Sequence, residues 1–166
     1  MEQKVTQPNL TGPFYTGMYI HNDKAGGYTI TVPSDWHQIE LKKGMVGLMF
    51  SPYADDINTS LLTQKNILKY KVNPEDMPLL REGFEKGIRA LPGVEIDKIE
   101  ASYSKTINVF DAVFSFLDGD VRRKRWVRNI YWEEGQLIMI AQGKTPEDYE
   151  YWLPMFFNII TTCNID

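Results

Sequence analysis

The sequence predicts an α+β domain in which an antiparallel β-sheet of about six strands is covered by helices. Three patterns carry this expectation. Tyr28, Ile30 and Val32 alternate with Thr29 and Thr31, which is a β-strand with one buried face. Met77, Leu80, Phe84, Ile88 and Leu91 recur at three- and four-residue steps, which is an amphipathic helix. From Val94 onward, long β segments follow one another through tight turns, and such a meander is antiparallel. Strands, a helix, a meander and a closing helix, in that order, give an α+β layer arrangement.

Taken in order, residues 1–13 are rich in Gln, Thr, Asn and Pro and are expected to form a flexible tail before a single domain spanning 14–166. Phe14 to Ile20 is a candidate first strand, and Asp23 to Gly27 a turn. Tyr28 to Val32 is the alternating strand; Pro33 lacks an N–H and ends its ladder. Val46 to Phe50 and Leu61 to Leu68 are further short strands. Asn73-Pro74-Glu75-Asp76 opens the amphipathic helix with a capping residue and acids at its positive end, and Pro92-Gly93 stops it. Val94 to Ser104, Ile107 to Leu117, Val121 to Trp132 and Gln136 to Gln142 then form the meander, with Asp118-Gly119-Asp120 as a hairpin turn. Thr145-Pro146-Glu147-Asp148 is a strong helix start, and Tyr149, Trp152, Phe156, Ile160 and Cys163 form the apolar stripe of the last helix. Pro154 inside that helix is expected to kink it near Glu150.

The chain has 166 residues, the size of one domain, and a net charge of −4 with pI about 5.2. That balance argues against a chain-wide attraction to nucleic acid or anionic membrane. A single cysteine, Cys163, allows no internal disulfide. No apolar run is long enough to span a membrane, and the polar start has no signal-peptide core. The expected location is cytoplasmic, or extracytoplasmic if an export signal has been trimmed from the start.

Tyr28 to Val32 closes with Pro33-x-x-Trp36, the mid-chain helix ends at Leu91-Pro92-Gly93, and a strand pair and an aromatic helix follow. Over roughly Tyr28 to Thr161 this pattern resembles the PsbP-like superfamily. Its relatives include the Ran-binding nuclear import factor of yeast, the bacterial DcrB lipoproteins and the effector-associated chaperones of type VI secretion. The DcrB-like branch is the closest in pattern, although no lipid-attachment cysteine stands near the start here. The resemblance implies an α/β/α sandwich without a catalytic site, acting as an accessory or interaction module. It carries over no set of functional residues.

The sharpest local signal is the basic run Arg122, Arg123, Lys124, Arg125, Trp126 and Arg128. Alternation places basic residues on both faces of one strand, so a hairpin tip protruding beyond the helices is expected. The run is the candidate contact strip for an unidentified protein partner. Two other readings stand beside it, a solvated strand whose cations pair with acids on neighbouring strands and a nucleic-acid strand with stacking aromatics. The acidic whole chain weighs against nucleic acid.

His21 and His37 match no zinc spacing with Cys163, Asp55 and Asp56 begin no calcium loop, and no catalytic motif occurs. The expected function is therefore a non-enzymatic interaction domain, without cofactor or metal. A carrier of a small ligand, lipid or hydrophobic peptide, held between sheet and last helix, is the alternative. A hydrolase with an unrecognised site comes last. The oligomeric state is left open between monomer and dimer.

Overall fold

A computed structural model describes residues 12–14, 16–133 and 135–166, so the expected tail lies outside the described residues except for its last two. Ten strands and two helices follow the order β1 (Met18–Asp23), β2 (Tyr28–Pro33), β3 (His37–Ile39), β4 (Gly47–Ser51), β5 (Ser60–Ile67), α1 (Met77–Arg89), β6 (Glu95–Tyr103), β7 (Asn108–Asp118), β8 (Val121–Trp132), β9 (Gly135–Gly143), α2 (Pro146–Thr161) and β10 (Asn164–Ile165). A 3₁₀ turn, Pro74–Asp76, leads into α1, and the Asn73 N–H donates to Asp76 Oδ2 at 2.8 Å.

The strands form two antiparallel sheets, of order β3-β4-β5-β9-β8-β7-β6 and β1-β2-β10. About six strands is a rough match to the main sheet alone. The second sheet went unseen because β10, at two residues, is too short to show alternation; β3 of the main sheet, at three, escaped for the same reason. The β7–β8 hairpin turns through a two-residue loop, Gly119-Asp120, with Gly119 at φ +61°, the left-handed value that glycine reaches without strain.

One face of the main sheet carries the principal core. Leu61, Leu137, Met139, Ala141, Trp126 and Ile130 meet Tyr149, Met155, Phe156, Ile159 and Ile160 of α2, together with Tyr28, Ile30 and Val32 of β2. Trp36, the residue that closes the alternating strand, is buried edge-on to Trp152 at 5.6 Å and Phe156 at 5.8 Å. Thr145 Oγ1 caps α2 by accepting from the Asp148 N–H at 3.2 Å, and the helix runs through Pro154 to Thr161. At Gly143, which precedes α2, a Cβ would collide with the Tyr149 backbone, so the helix lies against bare glycine.

On the other face α1 covers only part of the sheet. Ile88 packs on Ala112, Phe114 and Phe116, with Phe84, Ile99 and Val127 beside them. Met77 packs on Phe110 and Tyr131.

Candidate functional site

β8 lies between β7 and β9, so the basic run occupies the interior of the sheet rather than an edge. Arg122, Lys124, Trp126 and Arg128 face α2. Arg122 Nη1 donates to Gly93 O and to Ser115 Oγ, both at 3.0 Å, and Nη2 lies 3.7 Å from Glu95. Lys124 Nζ bridges Asp97 at 3.0 Å and Glu150 at 2.8 Å. Burial works against its charge, but the two carboxylates outweigh it and hold the ammonium pKa above the ordinary lysine range. Arg128 forms a fork on Asp111, Nε to Oδ1 at 2.9 Å and Nη2 to Oδ2 at 3.0 Å. The Trp126 indole N–H donates to the same Oδ1 at 2.8 Å.

Arg123 and Arg125 face the α1 side. Arg123 Nε donates to Asp118 at 2.6 Å and Nη1 to Lys144 O at 3.1 Å. Arg125 differs from the other four cations. Its Nε donates to Gln142 Oε1 at 2.6 Å and its guanidinium lies 4.5 Å over the Phe116 ring, but no carboxylate lies within 4.0 Å among the described residues. Burial lowers its pKa against the attraction of the more distant Asp118 carboxylate, and repulsion from Arg123 adds to the lowering. The strip is therefore a ladder of cross-strand pairs. Its side chains are mostly covered, at 13 % exposure for Arg123 and 17 % for Lys124, while the hairpin tip at residues 118–121 is exposed.

The other sequence candidates resolve into local structure. His21 is sandwiched between Tyr19 and Phe50, and burial lowers its pKa. His37 is exposed in β3, and among the described residues no hydrogen bond joins either histidine to Cys163. Burial pushes the Cys163 thiol up to about 11, which makes it a poor nucleophile near neutral pH. Asp56 Oδ1 accepts from the Asn58 N–H at 2.9 Å and side chain at 2.8 Å, which is turn chemistry. Among the described residues no three His, Cys, Asp or Glu side chains gather as a metal site, and no helix is long and apolar enough to cross a membrane. Asp148 at the start of α2 accepts from Thr59 and from the Tyr53 hydroxyl at 3.1 Å, tying the 52–59 loop to the helix.

A cleft of about 980 Å³ opens at one end of the main sheet between the start of α1 and the β6–β7 turn. Tyr103, Ile107, Tyr131 and Trp132 line it, with Lys71 paired to Glu133 at 3.1 Å on its rim. Its serine, Ser104, is committed to the turn: Oγ donates to Ile107 O at 2.6 Å and accepts from the Ile107 N–H at 3.0 Å. No histidine lines the cleft. The space expected between α2 and the sheet is filled by a core cluster whose buried members are 8 % exposed or less.

A second feature emerges from the strand register. Ile39, Met49, Leu62, Ile140, Val127, Ala112 and Ile99 stand opposite one another in a single row across all seven strands. α1 covers the Ile99–Ala112–Val127 end. Ile140, Leu62, Met49 and Ile39, with Ile138 in the next row, belong to no core cluster and stay part-exposed. Sequence reasoning missed this half-bare face. Its signal is the run Leu137-Ile138-Met139-Ile140-Ala141, apolar on both faces of β9, the mark of a strand meant to be covered on both sides.

Neither family profiles nor curated proteins match the chain. Solved structures do. Cyanobacterial PsbP (CyanoP) of Synechocystis sp. PCC 6803 superposes with a TM-score of 0.68 at 13 % identity, covering 95 % of this chain and 99 % of that one. The fold is PsbP-like. Two further structures share the PsbP-like fold. LpqN of Mycobacterium tuberculosis, involved in cell envelope biogenesis, gives 0.61 at 12 % identity and 90 % coverage of each chain. The Ran-binding protein Mog1p of Saccharomyces cerevisiae gives 0.54 at 8 % identity, covering 90 % of this chain and 95 % of that one.

Proposed function

We propose that this chain is a non-enzymatic interaction domain that binds a protein partner through the uncovered half of its main sheet. The observation that carries this role is the row of Ile140, Leu62 and Met49, aligned by register and left part-exposed beyond α1. An apolar sheet face is stable when another layer covers it, and among the described residues none does. Two facts support the role. Four of the five cations in the basic run are matched by carboxylates within the domain, and no nucleophile–base pair lines the cleft. Mog1p, with the same fold, binds Ran. From the sequence-derived contact strip, Arg125 is retained as the member that borders this face. Trp126 is buried, and Arg122, Arg123, Lys124 and Arg128 hold the sheet together.

Site-specific photo-crosslinking in a lysate of the source organism tests the role. A benzophenone side chain at Leu62 should give discrete adducts that the same group at Thr31, on β2 of the other sheet, does not. Identical adduct patterns at both positions would remove the role.

A further inference from the structure

The uncovered face is a groove with a wall, a floor and a charged end. In α1, Phe84 and Ile88 point into the sheet. At 3.6 residues per turn, the residues after them, Glu85 and Arg89, lie on one flank, and those before them, Gly83 and Gly87, on the other. Arg81, paired with Glu85 at 3.0 Å, interacts with Tyr103 of β6, so the charged flank faces the sheet edge. The glycine flank therefore faces the bare strands β9, β5 and β4. A Cβ built on Gly83 or Gly87 meets no atom within 4 Å. The floor is the Ile140–Leu62–Met49 row. One row nearer the β7–β8 hairpin stand Gln142 and Arg125, the cation of the run without a carboxylate among the described residues.

We propose that the occupant of this groove is an amphipathic helix of a partner protein that carries an acidic side chain at the end of its apolar stripe. This rests on the interaction role above and specifies its partner. A helix of about 10 Å diameter fits the width of two to three strands, each about 4.8 Å apart. A missing side chain on Gly83 and Gly87 lets a neighbouring backbone approach α1 closely, as small residues do wherever helices pack tightly. The carboxylate supplies what Arg125 lacks within ion-pair distance: a planar acceptor for the Nη groups of a guanidinium already held over the Phe116 ring and oriented through its Nε. An apolar stripe alone would bind without register; the charge fixes direction.

Three synthetic helices of roughly four turns, identical in apolar stripe and bearing Glu, Gln or Lys at its end, provide the probe, titrated into the isotopically labelled protein and read by amide chemical shifts. The Glu helix should shift Leu62, Ile140, Gly83 and Gly87 and bind about tenfold more tightly than the Lys helix, a gap that Arg125→Gln closes. Gly87→Leu should raise the melting temperature while weakening binding, a pairing that simple damage to the fold does not produce. Charge-blind affinity, or shifts confined to other surfaces, overturns the inference and leaves the crosslinking result at Leu62 untouched. A native dimer that Leu62→Lys converts to monomer also overturns it, by making a second copy the occupant. If Leu62 gives no adduct beyond the control, the interaction role itself falls.

Discussion

Asp111→Ala is expected to cost the domain about 3 kcal/mol, as a value between a surface ion pair and a fully buried one. Asp111 lies on β7, one strand in from the sheet edge, where it accepts from Arg128 Nε and Nη2 and from the Trp126 indole within 2.8–3.0 Å. The aspartate and arginine side chains are 16 % and 23 % exposed, so water replaces little of what is lost. Removing the carboxylate leaves a mostly covered guanidinium and an indole N–H without an acceptor, and a buried unpaired donor is the expensive outcome. For a chain of this length the loss corresponds to a fall of about 6–12 °C in melting temperature. Urea unfolding followed by circular dichroism reads it directly. The double variant Asp111→Asn with Arg128→Met, which removes both charges and keeps an amide oxygen for the Trp126 indole, should return to within about 1 kcal/mol of wild type. A loss below about 1 kcal/mol for Asp111→Ala alone, the surface-pair value, would refute the claim that the basic strand is held by its own cross-strand acids.

Further outcomes are expected. Gly83→Ala and Gly87→Ala, each on an exposed helix flank with open space, should stabilise the domain by about 0.5–1 kcal/mol apiece in thermal unfolding. Asn129→Val should leave stability within about 1 kcal/mol of wild type in urea, because it removes a buried Oδ1 that has no hydrogen-bond partner but also the side-chain bond from Asn129 to Tyr131. Stability should be flat with respect to Cys163 below pH 9 and fall by about 2–3 kcal/mol between pH 9 and 11, because the unfolded thiol ionises there while the buried one holds its proton. Cys163→Ser should flatten the lower part of that decline. Above pH 10 the fall continues through Tyr28 and Tyr149, whose phenols burial raises.

Long elements with a clear period were legible in the sequence. β8 matches its expected bounds of Val121 to Trp132, and Thr145-Pro146 announced α2 together with its cap. The four-residue step from Phe84 to Ile88 gave α1 its buried face. What could not be read depends on register. Alternation showed that Arg122, Lys124 and Arg128 share a face, but not that Ser115, Glu150 and Asp111 wait opposite them, because those partners come from other strands and a helix. A run of like charge therefore looked exposed when it was paired. The half-bare face was hidden for the same reason. Met49, Leu62 and Ile140 lie far apart along the chain and align only through the ladders.

The short strand β10 has a consequence for how the molecule comes into being. Asn164 and Ile165 pair with Thr29 and Tyr28, and the Asp166 N–H donates to Gly27 O at 2.9 Å. The hairpin of β1 and β2 is thus completed by residues that follow every other described strand along the chain. Closing so long a loop is slow, so the smaller sheet forms late in folding. Until then β2 has one edge unpaired beside Tyr28 and Thr29, open to pairing with a neighbouring chain.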